Sequence, residues 1–233
     1  MQAKLIESIE LAPGVRHFVF EAEPAGEVRF TPGQFVSLSD RVSGQEITRA
    51  YSIASAPASG NRFELCLNCV PGGMFSPHLF DLAPGDRVDM QLPLGTFVLR
   101  NPLRDSLMVA TGTGIAPFRS MLHAALAPGS PSVTLLFGVR HESHLLYREE
   151  FEAMEREFRQ FRFWPTLTQP PPEWTGRIGR VQAHLAEAIA ATSVSPSGLD
   201  VYLCGLKPMV DDVRRTLKER GFDRKQIRYE KYD

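Results

Sequence analysis

The chain has 233 residues, 43% hydrophobic and 23% charged, with a formal net charge of −1. That is enough for one large domain or two ordinary ones with buried cores, and it supplies no basic field for nucleic acid. No stretch reaches the roughly 20 apolar residues of a membrane span, residues 1–14 lack the apolar run of a signal peptide, and three cysteines are too few for a disulfide framework. The default expectation is a cytoplasmic protein with no nucleic-acid and no membrane partner.

Residues 1–100 read as short strands: KLIESIEL (4–11), VRHFVFEAE (15–23), GQFVSLS (33–39), ITRAYSIAS (47–55), RFELCLNCV (62–70) and RVDMQLPL (87–94). Pro13-Gly14, Pro32-Gly33, Gly60-Asn61 and Pro84-Gly85 punctuate them as turns. Such spacing predicts an antiparallel barrel or sandwich. In RAYSIAS, Arg49 can clamp a phosphate, Tyr51 can stack on a flat ring and Ser52 can bond a ring nitrogen. A plain polar-edged strand fits the same residues. Cys66 and Cys69 are three apart in a strand, which sends them to opposite faces. No second cysteine pair completes a metal site, so no metal is expected. In PGGMFSPHLF (71–80), Ser76 reads as a helix N-cap with Pro77 at the first helical position. That N-terminus suits an anion, or it is a capped turn that binds nothing.

After RNPLRD (100–105) the pattern changes to alternating strands and helices. Strands are expected at Leu107–Thr111, Val133–Gly138, Phe161–Leu167, Val201–Cys204 and Ile227–Tyr229. Helices are expected at Pro117–Ala127, His144–Phe158, Val181–Ala191 and Pro208–Arg220. Alternating units of this kind imply a parallel sheet covered on both faces. Between the first strand and helix lies ATGTGIAPF: Gly112 and Gly114 allow a tight turn that brings bare backbone near a ligand, and Pro117 begins the helix without losing a needed hydrogen bond. The turn suits a pyrophosphate but lacks the Lys-Ser/Thr of an ATP loop; a plain tight turn is the alternative. In YLCGLKPMV, Cys204 ends an apolar strand, where ligand crevices form, or is a small buried hydrophobe. The tail YEKYD is either functional or a frayed terminus.

In their order, PGQFVSL, RAYSIAS, PGGMFS, ATGTGIAPF, FGVR…LLYREEF, YLCG…M and YEKY resemble the ferredoxin–NADP⁺ reductase superfamily, over essentially the whole chain. The resemblance implies two domains: an N-terminal antiparallel β-barrel that binds FAD (1–101) and a C-terminal α/β parallel-sheet nucleotide-binding domain (102–233). It implies a flavoenzyme that moves a hydride between NADPH and FAD and passes single electrons on. The cofactors it implies are FAD and NADP. Fused iron–sulfur modules of the family need four cysteines, so the acceptor is expected to be a separate carrier such as ferredoxin or flavodoxin. A reductase releasing free reduced flavin, or an electron-transfer subunit of an oxygenase, stands as the alternative.

Carried over residue by residue, Arg49 looks like a flavin phosphate ligand, Tyr51 the ring stacked on the isoalloxazine, and Ser52 the hydroxyl facing flavin N5. Gly73, Met74 and Ser76 resemble a second flavin phosphate site, and Thr111, Gly112, Thr113 and Gly114 the pyrophosphate loop. Cys204 and Glu230 resemble the pair flanking nicotinamide C4, and Tyr232 the aromatic that covers the other flavin face, although Asp233 follows it here. Arg140, just past the second strand of the α/β half, resembles a ligand for the 2′-phosphate of NADPH, with Arg177 and Arg180 in a later loop. Glu142 stands close enough to be the acid of an NADH site, and both assignments remain open at this point.

Overall fold

The computed structural model describes residues 1–24, 26–57, 60–192 and 194–232, apart from the side chain of Leu92. Asp233 of the tail motif lies outside the described residues. The chain divides into two units, Met1–Val98 with Ala116–Ala124, and Leu99–Ile115 with residues 125–233. No helix among the described residues is long and apolar enough to cross a membrane.

The first unit is built on six strands: β1 (Gln2–Ala12), β2 (Val15–Glu23), β3 (Phe35–Val42), β4 (Gln45–Ser52), β5 (Arg62–Asn68) and β6 (Arg87–Leu94). They form one antiparallel sheet in the order β4-β3-β6-β1-β2-β5. An Ile53–Leu65 bridge joins its two ends, which decides for a barrel. Register shifts in β1 after Leu5 and after Glu10 bend that strand, as a closing sheet requires. Period-two alternation turns Leu5, Phe18, Phe20, Val36, Leu38, Phe63, Leu65 and Val88 inward. Phe20 stacks between Phe18 and Phe63, at 6.1 and 5.6 Å between ring centroids. A short helix, α1 (Phe75–Asp81), follows the Gly-Gly turn.

The helix after the glycine turn, α2 (Ala116–Ala125), also belongs to this unit along most of its length. Phe118 meets Phe97 edge-on at 5.8 Å. Arg119 Nη1 lies 2.6 Å from Glu64 Oε2 and donates to the Ala54 carbonyl at 3.0 Å. A carbon added at Gly33 (φ 99°) would lie 1.9 Å from the Phe97 carbonyl oxygen, and the tip of Met121 on the helix reaches the same spot.

The second unit carries β7 (Ser106–Thr111), β8 (Val133–Val139), β9 (Phe161–Leu167), β10 (Arg177–Ile178), β11 (Asp200–Leu206) and β12 (Ile227–Tyr232). All are parallel, in the order β10-β9-β8-β7-β11-β12. The chain steps outward from β7 to β10, then returns to lay β11 on the other side of β7. That reversal between β7 and β11 is where open α/β sheets form a ligand crevice, at the strands' carboxyl ends. Helices α4 (Val181–Ala191) and α5 (Lys207–Glu219) bury Val181, Leu185, Val210 and Val213 against Val109, Leu136 and Leu203. Helix α3 (Arg148–Glu157) meets the other face, with Phe151 5.4 Å from Phe163. At the start of β11, buried Asp200 takes Arg100 Nε at 2.7 Å, an ion pair without hydrogen-bond alignment.

Three local expectations are corrected. Helix α3 begins at Arg148, not His144, because Tyr147 adopts a left-handed conformation (φ 57°) after a separate turn at Glu142–His144. Ser76 is not an N-cap: Met74 holds that position, and Ser76 sits inside the first turn of α1. The tail does not fray, for β12 pairs with β11 as far as Tyr232.

Removing the Arg119 guanidinium leaves half-buried Glu64 without its closest cation. Arg119→Ala is expected to destabilise the protein by about 1–3 kcal/mol, read as a lower melting temperature by calorimetry.

Candidate active site

Strand β4 alternates, so Arg49 and Tyr51 share one face and Ser52 takes the other. Arg49 is exposed, its Nη1 donating to the Thr48 carbonyl at 2.8 Å, while Ser52 is buried. Tyr51 stacks on Phe75 at 6.3 Å with 18° between the rings. Burial pushes its phenol up to about 12, against the opposing pull of Arg49, so it stays neutral near pH 7. The Gly72-Gly73 turn is closed from within: Gly73 N–H donates to the Val70 carbonyl and Val70 N–H to Ser76 Oγ, both at 2.9 Å. Ser76 therefore shapes the loop rather than capping the helix. Gly72 is left-handed (φ 74°) with open space around it, and Met74 beside it is exposed. An exposed arginine, a braced aromatic face and an open glycine turn together suit a flat, phosphate-bearing group such as a flavin nucleotide.

In the second unit, Thr111 ends β7 and residues Gly112–Ile115 form a tight 3₁₀ turn that runs into α2. A carbon added at Gly114 would lie 2.4 Å from the Cys204 carbonyl oxygen and 2.8 Å from Gly205 N. One added at Gly205 (φ 144°) would lie 2.2 Å from Thr111 Oγ1. The close packing given elsewhere to a third fingerprint glycine thus falls to Gly114 and Gly205. Thr111 Oγ1 is buried without a hydrogen-bond partner, and Gly112 faces open space. An orphaned hydroxyl beside bare backbone fits a bound pyrophosphate.

Register places Cys204 beside Glu230 on the neighbouring strand. Cys204 is fully buried, and that burial, with Glu230 adding to it, holds the thiol well above its usual range; a hydrogen bond with Tyr232 opposes the shift. The group is a neutral thiol, not a nucleophile.

Residues 2–99 match the oxidoreductase FAD-binding domain and residues 108–215 the oxidoreductase NAD-binding domain. Over its full length the chain is 41% identical to ferredoxin--NADP reductase B of Sorangium cellulosum, spanning 97% of that protein. The chain belongs to the ferredoxin–NADP reductase family. It is a flavoenzyme with an FAD-binding and a NAD(P)-binding domain. It is also 30% identical to the anthranilate 1,2-dioxygenase electron transfer component of Acinetobacter baylyi, matching 88% of this chain but only 59% of that longer protein. The crystal structure of a cytochrome P450 reductase from Amycolatopsis superposes with a TM-score of 0.88 at 31% identity, covering 99% of this chain and 69% of that one.

The remaining candidates follow β8 or lie in β10 of the reductase's parallel sheet. Arg140 follows β8 and is exposed. Glu142 is held by Arg148, with Oε1 2.5 Å from Nη1. Arg177 is engaged within its own unit: its guanidinium lies 3.6 Å over the Trp164 ring and 3.0 Å from Glu187. Gly205, Arg148 and Trp164 had no role assigned from the sequence; Gly205 stood in the YLCG motif and Arg148 in LLYREEF, whereas Trp164 lay in no motif. Cys66 is buried in β5 and Cys69 lies just past it, neither in a disulfide. Among the described residues no cluster of His, Cys, Asp or Glu could hold a metal ion.

The burial of Cys204 sets its reactivity. At pH 8 a thiol reagent is expected to label half-buried Cys69 first and to leave Cys204 unmodified, its rate rising only at strongly alkaline pH. Peptide mapping reads the order, and rapid labelling of Cys204 at neutral pH would contradict it.

Proposed function

We propose that the protein transfers a hydride between NADPH and FAD and passes single electrons to a separate carrier such as ferredoxin or flavodoxin, in the cytoplasm. Residues 1–101 form the FAD-binding half and 102–233 the nucleotide-binding half. The observation that carries the NADPH assignment is the ion pair at Glu142: the acid that would accept from the ribose hydroxyls of NADH is occupied by Arg148, while Arg140 stays exposed. The ferredoxin-type acceptor is supported by the 41% identical relative.

When bound, FAD supplies hydride acceptance and single-electron release, chemistry that belongs to the cofactor. Arg49 pairs with a flavin phosphate, and the backbone at Gly73 and Met74, shaped by Ser76, meets a second. Tyr51, braced by Phe75, offers a flat neutral face, and Ser52 a hydroxyl donor to the ring. Thr111, Gly112, Thr113 and Gly114 receive the nucleotide pyrophosphate, with the Thr111 hydroxyl finding its partner there. Arg140 takes the 2′-phosphate, and Arg177 shapes the adenosine side through its stack on Trp164. Cys204 presents a small, uncharged sulfur to the nicotinamide, Glu230 orients the ring, and Tyr232, hydrogen-bonded to the thiol, is the aromatic that covers the other flavin face. A charged thiolate there would compete for the positive nicotinamide, so the raised thiol suits the role.

A second reading, electron supply to an oxygenase, is favoured by the names of the dioxygenase component and the cytochrome P450 reductase among its relatives. Turnover of NADPH and NADH against a panel of ferredoxins, flavodoxins, oxygenase components and free flavin separates these readings, with NADPH and a protein carrier expected to be fastest.

Two variants test the binding roles. Arg49→Ala is expected to purify with most of its flavin lost, seen in the visible absorbance, because a charge-assisted phosphate contact disappears. Arg140→Ala is expected to raise the KM for NADPH about tenfold, about 1.4 kcal/mol, and to leave NADH nearly unchanged. An equal effect on both nucleotides would remove Arg140 from the 2′-phosphate site.

A further inference from the structure

The two charges past β8 are not equivalent in the fold. Arg140 leaves the carboxyl end of the strand into solvent. Glu142 begins a one-turn 3₁₀ segment, closed by Leu145 N–H donating to the Glu142 carbonyl at 2.9 Å. Leu145 and Leu146 are buried, and the chain then swings through left-handed Tyr147 into α3. That swing brings Arg148, the first residue of α3, back to face Glu142. Its Nη1 donates to Glu142 Oε1 at 2.5 Å, and its Nε donates to Glu152 Oε1 at 2.7 Å one helical turn on. The guanidinium is also 5.7 Å from the Trp174 ring centroid. One cation thus engages two carboxylates through different nitrogens and is fixed from both sides.

A carboxylate at the end of this strand has two effects on a bound nucleotide. Free, it accepts from both ribose hydroxyls and favours NADH; facing a 2′-phosphate, it repels a like charge. Paired with an arginine, it loses much of both effects, since its charge is offset and its lone pairs are occupied.

We infer that Arg148 is a specificity-determining residue that silences Glu142, so that a site carrying both an arginine and an NADH-type acid selects the 2′-phosphorylated nucleotide. Arg148 acts through Glu142 and does not itself touch the nucleotide. The inference rests on the NADPH reading above, and it assigns the choice between nucleotides to an ion pair rather than to Arg140 alone. His141, Ser143 and His144 occupy the same turn, where Ser143 Oγ is 3.2 Å from His144 Nδ1; Arg148 is the cation at hydrogen-bond distance from the Glu142 carboxylate.

The test measures binding and turnover in the flavin-loaded protein. Adenosine 2′,5′-bisphosphate and adenosine 5′-monophosphate are titrated calorimetrically, and kcat/KM is measured for NADPH and NADH. In Arg148→Ala the affinity for the bisphosphate and kcat/KM for NADPH are expected to fall about three- to tenfold, the scale of a half-exposed charge. NADH turnover should hold or rise. Arg148→Ala combined with Glu142→Gln should return both ratios to within about twofold of the wild type, because the unmasked charge is gone. Melting temperature and flavin absorbance report whether each variant is folded. A wild-type preference for NADH would overturn the NADPH reading and this inference with it. A wild-type preference for NADPH with unchanged ratios in Arg148→Ala would overturn the inference alone. So would a double variant as impaired as the single one, which would mean that Arg148 contacts the nucleotide directly or only supports the fold.

Discussion

At the carboxyl edge of the parallel sheet, two pieces of backbone come closer than any side chain would allow. Gly114 lies against the carbonyl of Cys204, and Gly205 lies against the hydroxyl of Thr111. Each glycine admits the other's strand, so the contact is mutual, and it lies at the reversal of strand order between β7 and β11. Much of the candidate nucleotide site hangs on this approach. It holds Gly112–Gly114 in a tight turn at the edge, it leaves the Thr111 hydroxyl buried without a protein partner, and it sets Cys204 deep enough to keep its thiol protonated. A methyl group at either glycine would push the strands apart and loosen all three at once.

The helix that continues this turn answers to a different part of the molecule. From Ala116 onward it is fastened to the barrel by Arg119, Phe118 and Met121. Arg119 reaches the carbonyl of Ala54, two residues past the end of the strand that carries the candidate flavin ligands. The proline at its second position needs no special account, since the first-turn amides of a helix lack intrahelical acceptors in any case.

Charge is handled in the same way across the molecule: carboxylates are committed before a ligand arrives. Glu64 faces Arg119, Asp200 faces Arg100, Asp211 faces Lys231 and Glu142 faces Arg148. Arg49 and Arg140 stay exposed, and both are the residues proposed to meet phosphates. Beside Arg140, at least, the neighbouring acid Glu142 is already engaged, so a protein with a net charge of −1 can still offer an anion site there.

The sequence by itself determined the two patterns of alternation, and with them an antiparallel half followed by a parallel one, since side-chain period follows directly from backbone geometry. It also located the glycine turn, the Arg49–Ser52 strand and Cys204, because glycine, proline and strand-end residues leave short-range signals. Strand limits such as those of β2, β6 and β9, and of helix α4, were legible to the residue. The tertiary structure alone decided what depends on partners distant in sequence. It moved Ser76 from cap to loop closure through the amide of Val70, and it carried the tail to Tyr232 by pairing with β11. It placed α2 with the barrel through Glu64, more than fifty positions before Arg119. It also separated Arg140 from Glu142, two charges that look equivalent in a string of residues, because a left-handed turn at Tyr147 gives only one of them an arginine.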